Sequence, residues 1–170
     1  MIRVELATEG HIDRILEIEH EAFSPPWTHG ALLGEIFRDD SFFAVAVAGE
    51  AKPSKHPAHL REGGSTQCRG ESTNILGFII LRRATDEAEL LQIAVGKDAR
   101  RRGVADLLMT KANRFAEESE IKSIFLEVRR SNEPAISLYK KHGYKNLRVR
   151  KDYYNDPIED GIVMVRTTIL

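Results

Sequence analysis

Apolar positions along the chain follow two periods. Residues 2 to 6 alternate as a short strand does, and Thr8 then stands where it can cap a helix whose positions Ile12, Ile15, Leu16, Ala22 and Phe23 recur at three- and four-residue spacing. The run SPPW at 24 to 27 stops that helix, and Thr28 is placed to cap a second one carrying Leu32, Leu33, Ile36 and Phe37. FFAVAVA, residues 42 to 48, reads as a strand buried on both faces. Further on, the pattern predicts strands over 75–83, 88–95, 122–129, 144–151 and 161–168, with helices over 104–118 and 133–142. Hairpins followed by strand-helix-strand-helix-strand predict a mixed α/β sheet with parallel pairing around both crossover helices.

One segment breaks the pattern. Residues 50–74 combine Pro, Gly, Ser and charges with no aromatic residue, so they cannot bury enough apolar surface to offset the entropy of ordering, and a mobile insertion is expected there. His56 and His59 lie three apart in it, but no spaced Cys or acidic partners complete a tetrahedral set, and no metal is expected. The remainder fits one domain spanning residues 1–170.

Composition narrows the function classes. With 25 basic and 26 acidic residues and a net charge of -1, bulk electrostatics points to neither a general nucleic-acid binder nor a membrane binder. The longest apolar runs are far shorter than the ~20 residues that span a bilayer. Cys68, the single cysteine, cannot form an internal disulfide, and the opening MIRVELATEG lacks the cationic and apolar regions of a signal peptide; a cytoplasmic protein, monomeric or weakly dimeric, is expected.

The chemistry is concentrated in two stretches. In LLQIAVGKDARRRGVADLLM, residues 90 to 109, a buried strand gives way to Arg100, Arg101, Arg102 and Gly103 where a helix begins. The first N–H groups of a helix lack intrahelical partners and its dipole is positive at that end, so phosphate is accepted readily; glycine lets oxygens approach the main chain and arginines add charge-assisted hydrogen bonds. An arginine run before a helix is also compatible with a solvated turn. Neither the P-loop ending nor the three-glycine dinucleotide fingerprint is present.

Arg100-Arg101-Arg102-Gly103-Val104-Ala105 nevertheless resembles the Arg/Gln-x-x-Gly-x-Gly/Ala signature of the GCN5-related N-acetyltransferases (GNAT), with Ala105 in place of the more usual second glycine. The resemblance implies a mostly antiparallel central sheet of about seven strands with four helices, splayed in the middle to bind acetyl-CoA. It implies that the turn and Val104 and Ala105 hold pyrophosphate, while main-chain groups around Ile93, Ala94 and Val95 hold the pantetheine arm.

The second stretch is IFLEVRRSNEPAISLYKKHGY, residues 124 to 144. Ile124, Leu126 and Val128 share one strand face, and Phe125, Glu127 and Arg129 the other. Asn132 can cap the next helix, Pro134 suits its first turn and Gly143 its end, leaving Tyr139 mid-helix. Alone, Glu127 reads first as a strand-edge surface residue and Tyr139 as a packing residue. LEVRRSN and AISLY, together with PPW at 25–27 and DYYNDPIEDGIVM at 152–164, are similar to the ribosomal-protein alanine N-acetyltransferase (RimI-type) branch of the family. That likeness implies that Glu127 accepts the amine proton, Tyr139 protonates the CoA thiolate, Asn132 bonds the cofactor, and Trp27, Tyr153 and Tyr154 line a peptide groove.

The function implied is acetyl transfer from acetyl-CoA to a protein N-terminus, with the N-terminal alanine of a ribosomal protein as the first expected acceptor. Two other readings stand beside it: a lysine, polyamine or small-molecule amine as acceptor, or a non-catalytic acyl-CoA-binding regulator. The presence of both Glu127 and Tyr139 speaks against the last.

Overall fold

The computed structural model describes residues 1–49 and 74–168. In chain order the elements are β1 (Ile2–Leu6), α1 (Ile12–Ala22), α2 (His29–Ile36), β2 (Ser41–Ala48), β3 (Ile75–Ala84), β4 (Glu87–Val95), α3 (Val104–Glu118), β5 (Ser123–Arg129), α4 (Glu133–Lys141), β6 (Lys145–Asn155) and β7 (Ile158–Thr167). The expected insertion lies outside the described residues from 50 to 73, and His56, His59 and Cys68 lie outside them with it.

The seven strands of the described residues form one sheet in the order β1-β2-β3-β4-β5-β7-β6. Only β4 and β5 pair in parallel; every other neighbouring pair is antiparallel. The expectation of parallel pairing around both crossover helices therefore holds for α3 and fails for α4, because β7 inserts between β5 and β6. Burial explains the choice: β7 carries Ile162, Val163 and Met164, all buried, whereas β6 is exposed almost throughout and suits an edge.

Alternation along β2 and β3 builds a core on each face. Phe43, Val45, Val47, Phe78 and Ile80 pack under α1 and α2 with Ile12, Ile15, Ile18 and Leu32, while Ala44, Ala46, Ile79 and Leu81 pack under α3 with Leu108, Met109 and Ala112. Full burial of each large aliphatic side chain contributes roughly 1.5–3 kcal/mol. The start of α1 differs from the sequence expectation. Thr8 opens a single 3-10 turn, Glu9–His11, in which His11 Nδ1 accepts the Thr8 N–H at 3.1 Å, and Ile18 rather than the exposed Ala22 completes the buried stripe. Thr28 caps α2 as expected, its Oγ1 accepting the Ala31 N–H at 3.2 Å.

Two irregularities in β4 position everything that follows. Its register with β3 shifts so that Ile80 faces Gln92 but Leu81 faces Leu90, which leaves Leu91 as an extra, bulged residue. The alternation flips there: Ala88 and Leu90 face α3, and beyond the bulge it is Ile93 and Val95 that do so, while Ala94 turns toward α1. In addition, β4 pairs with β5 only through Glu87, Ala88 and Glu89, opposite Ser123, Ile124 and Phe125. Past Phe125, β5 continues without β4, and the sheet opens.

Candidate active site

The opening between β4 and β5 ends at the arginine turn. Along it, the stretch of β4 from Ile93 to Val95 has no strand partner on the β5 side among the described residues, so main-chain groups that face the gap, apart from the Val95 carbonyl taken by Arg100, are available to a ligand. Gly103 is the N-cap of α3 at φ 78°, in the left-handed region that glycine enters without cost, and a Cβ built there would meet nothing within 4 Å. The first intrahelical bond runs from the Leu107 N–H to the Gly103 carbonyl at 3.0 Å. The N–H groups of Val104, Ala105 and Asp106 therefore have no acceptor among the described residues. Free donors, open space and a helix dipole meet at one point, which fits a pyrophosphate group.

The three arginines are not equivalent. Arg100 folds back, its Nε donating to the Val95 carbonyl at 3.1 Å, and so braces the turn against the end of β4. Arg101, in the left-handed region at φ 62°, and Arg102 are exposed and have no side-chain partner among the described residues. Asp106 places a negative charge in the same helical turn, but Lys141 Nζ pairs with it at 2.7 Å and His142 Nε2 hydrogen-bonds it at 2.9 Å. Those bonds, that of Lys141 first, hold its carboxyl below the usual range and tie the start of α3 to the end of α4.

Glu127 lies on the face of β5 away from α3, as the alternation predicts, with Ile124, Leu126 and Val128 buried on the other. It is not alone. Arg150 Nη1 donates to Glu127 Oε1, and the Arg150 guanidinium lies over the ring of Tyr153, 4.6 Å from its centroid, which brings that phenol beside Glu127. Interaction with the Glu127 carboxylate is the main reason the Tyr153 phenol is held above its ordinary value. Tyr154 meets Tyr153 edge-on at 5.0 Å and lies under Arg129 at 4.3 Å. Burial, more than its acidic neighbours Glu127 and Glu159, raises the Tyr154 phenol.

A wide bulge delivers Tyr153 to this cluster. Arg150 faces Gly161 and Tyr154 faces Glu159, so Lys151, Asp152 and Tyr153 oppose one residue, Asp160. Asp160 Oδ1 accepts the Asp152 N–H at 3.2 Å and Oδ2 pairs with Arg130 at 3.2 Å, which fixes the bulge. Gly161 is required beneath it: a Cβ there would lie 2.9 Å from Tyr153 Cδ1 and 3.2 Å from its Cβ and Cγ.

On the opposite face, α4 carries Tyr139 among the core residues, 7% exposed and 5.9 Å from the Tyr144 ring. Burial pushes its phenol up, with a smaller contribution from Tyr154, so it is a neutral donor at physiological pH, and its hydroxyl has no hydrogen-bond partner among the described residues. Asn132 caps α4 through Oδ1, which accepts the Ala135 N–H at 3.2 Å; its Nδ2 donors are left over. Glu127 and Tyr139 thus stand on opposite faces of the sheet, next to the place where β4 and β5 part.

Trp27 is set apart from the two tyrosines, with no ring contact to either. Its N–H donates at 2.8 Å to Oε1 of Glu19, a fully buried α1 carboxylate that also receives Gln92 Nε2 at 2.9 Å. Glu19 therefore ties the loop between α1 and α2 to β4. Arg150, Gly161, Glu19 and Gln92 escaped the sequence reading. Gly161 had a signal, a glycine inside a strand; Arg150 had none, because its partner lies 23 residues away across the β6 bulge.

With this geometry, comparison with known proteins is consistent throughout. A model of the acetyltransferase (GNAT) family matches residues 12–144. Ribosomal protein bS18-alanine N-acetyltransferase of Haemophilus ducreyi is 30% identical over 158 residues, 93% of this chain and 91% of that protein. The crystal structure of the ribosomal-protein alanine N-acetyltransferase of Escherichia coli superposes with a TM-score of 0.77 at 25% identity, over 100% of this chain and 96% of that one. PaiA N-acetyltransferase from Thermoplasma acidophilum, solved with coenzyme A, shares the fold at 18% identity, with a TM-score of 0.71 and 99% of each chain covered. The chain belongs to the acetyltransferase (GNAT) family and is an N-acetyltransferase.

Proposed function

We propose that this enzyme acetylates the α-amino group of a protein N-terminus, using acetyl-CoA, and that an N-terminal alanine of a ribosomal protein is its first-choice acceptor. The observation that carries the reading is the meeting of three features at one gap: the unpartnered edge of β4, the free N–H groups after Gly103, and Glu127 held on the open face by Arg150 and Tyr153. The names of the H. ducreyi and E. coli relatives support the acceptor.

Bound acetyl-CoA supplies an acetyl thioester, whose carbonyl carbon the amine nitrogen attacks. The residues divide the remaining work. Val104, Ala105 and Asp106 N–H groups with Arg101 and Arg102 hold the pyrophosphate, Arg100 keeps the turn against Val95, and the backbone of Ile93 to Val95 with the Asn132 amide aligns the pantetheine arm. Glu127, directly or through water, takes one proton from the amine nitrogen. Tyr139, kept neutral by burial, gives its hydroxyl proton to sulfur as the carbon–sulfur bond breaks. Trp27, Tyr153 and Tyr154 border the acceptor groove.

Amine chemistry favours an N-terminus. An α-amino group near pKa 7.8 is roughly 10–15% neutral at pH 7, and a lysine near 10.4 about 0.04%. One carboxylate suits the easier proton. The test offers purified enzyme a peptide beginning with alanine and the same peptide blocked at its N-terminus but carrying lysine, with product sites read by mass spectrometry. Acetylation of the free N-terminus is expected; dominant acetylation of lysine would transfer the enzyme to lysine or other side-chain amines.

A further inference from the structure

Glu127 is built into an ion pair, and the pair lies at the acceptor end of the site. On the face away from α3, Glu127 of β5 reaches past Val163 of β7 toward Arg150 of β6, and Gly161, directly opposite both Arg129 and Arg150 in register, contributes no side chain of its own there and leaves that space to the Tyr153 ring. Arg150 is fixed twice, by its bond to Glu127 Oε1 and by the Tyr153 ring. The pair is only partly covered, with 24% of the Glu127 side chain and 41% of the Arg150 side chain exposed, so an acceptor can reach it.

A carboxylate is an awkward base for an amine that arrives mostly as ammonium. A lone carboxylate attracts the ammonium, and that attraction stabilises the protonated, unreactive form of the acceptor. A guanidinium fixed against the carboxylate cancels much of this while leaving oxygen lone pairs to accept a hydrogen bond. We propose that Arg150 is a positioning residue that neutralises the charge of Glu127 toward the acceptor, so that the carboxylate receives a proton from the amine without holding it as a tight ammonium pair. The other charged and titratable groups around the pair are Tyr153 and Tyr154 on β6, Arg129 on β5, Glu159 on β7 and Glu89 on β4. Arg129 is engaged with Glu159 at 3.3 Å and with the Pro157 and Asp156 carbonyls at 3.1 and 2.7 Å, so Arg150 is the cation committed to Glu127.

The inference rests on Glu127 acting as the proton acceptor, and the experiment separates the two. Arg150→Gln, Arg150→Lys and Glu127→Gln are compared with the parent in steady-state kinetics on an alanine-starting peptide from pH 6 to 9, each variant first checked for parental acetyl-CoA affinity. In Arg150→Gln the acid limb of kcat is expected to move up by about half to one pH unit, a roughly three- to tenfold loss near pH 6.5 that closes by pH 9, with acceptor KM unchanged or lower. Arg150→Lys should restore the parental limb. Loss by one factor at every pH, a loss carried by raised KM, or no change would overturn the role of Arg150. If Glu127→Gln slows turnover while the Arg150→Gln limb stays in place, only this inference fails; if Glu127→Gln leaves turnover unchanged, the proton-acceptor reading fails and takes it along.

Discussion

We propose the arginine turn and the hairpin over Glu127 as the cofactor and acceptor ends of the site, and the two are made in opposite ways. The turn is a contiguous stretch from Val95 to Ala105, and its binding groups are main-chain N–H donors exposed by a helix start. The acceptor end is assembled from side chains on β5, β6 and β7, with a three-residue bulge pinned by Asp160 and a glycine seat for Tyr153. Backbone recognition tolerates exchange of most side chains but not of the one residue in a left-handed conformation. Side-chain recognition spreads its tolerance differently, and small displacements there change turnover while cofactor binding survives.

The largest effect should come from the turn. Gly103→Asp puts a carboxylate at the helix start, in open space where an anion is to lie, and acetyl-CoA affinity is expected to fall ~100-fold or more by calorimetry, with circular dichroism unchanged. Gly103→Asn, which tolerates positive φ without adding charge, should lose far less. Equal affinities for the two variants and the parent would show that the turn is a solvated corner.

Tyr139→Phe comes next, and it sharpens the contrast from inside the core. Because the hydroxyl has no protein partner among the described residues, its removal should leave Tm within about a degree or two, while kcat falls roughly 10- to 100-fold and acetyl-CoA affinity holds. A variant as active as the parent would reduce Tyr139 to a packing residue.

This contrast also decides what the chain disclosed before folding. Period-2 and period-3.6 runs placed the seven strands and four helices of the described residues within a few residues, and the glycine-capped helix start after the arginines was legible because such a turn is local in sequence. The order β5-β7-β6 was not, since it depends on which of the last two strands has more apolar surface to bury. Nor was Arg150. A reader of the alternation 148, 150, 152 puts Tyr153 on the face opposite Arg150, and only the bulge between Arg150 and Tyr154 reverses that.

Gly161→Ala probes this bulge directly. A Cβ 2.9 Å from Tyr153 Cδ1 must push the ring away, which loosens its stack on Arg150 and with it the hold of Arg150 on Glu127. Acceptor KM is expected to rise, or kcat to fall, roughly three- to tenfold, with acetyl-CoA affinity unchanged. A parallel loss of cofactor affinity would mean that the two regions are mechanically coupled rather than separate.

The smallest effect concerns the residue that joins them. Glu19 connects the acceptor-side loop at Trp27 to Gln92 on β4, and burial raises its carboxyl above the ordinary 4.5, against the opposing pull of those hydrogen bonds. A carboxyl that binds its proton more tightly when folded stabilises the fold fully below its unfolded value, and that contribution is lost as pH rises through the folded one. Ionised Glu19 would also leave Oε2 charged, buried and without a partner. Glu19→Gln keeps an oxygen to accept from Trp27 and Gln92 but cannot ionise, so the variant should gain on the parent as pH rises from 4.5 toward 8. The expected signature is a flatter dependence of Tm on pH in the variant, with kcat little changed. Parallel Tm curves for variant and parent would show that Glu19 binds its proton equally in the folded and unfolded chain, and that its hydrogen bonds to the loop and to β4 cancel the cost of burying its charge.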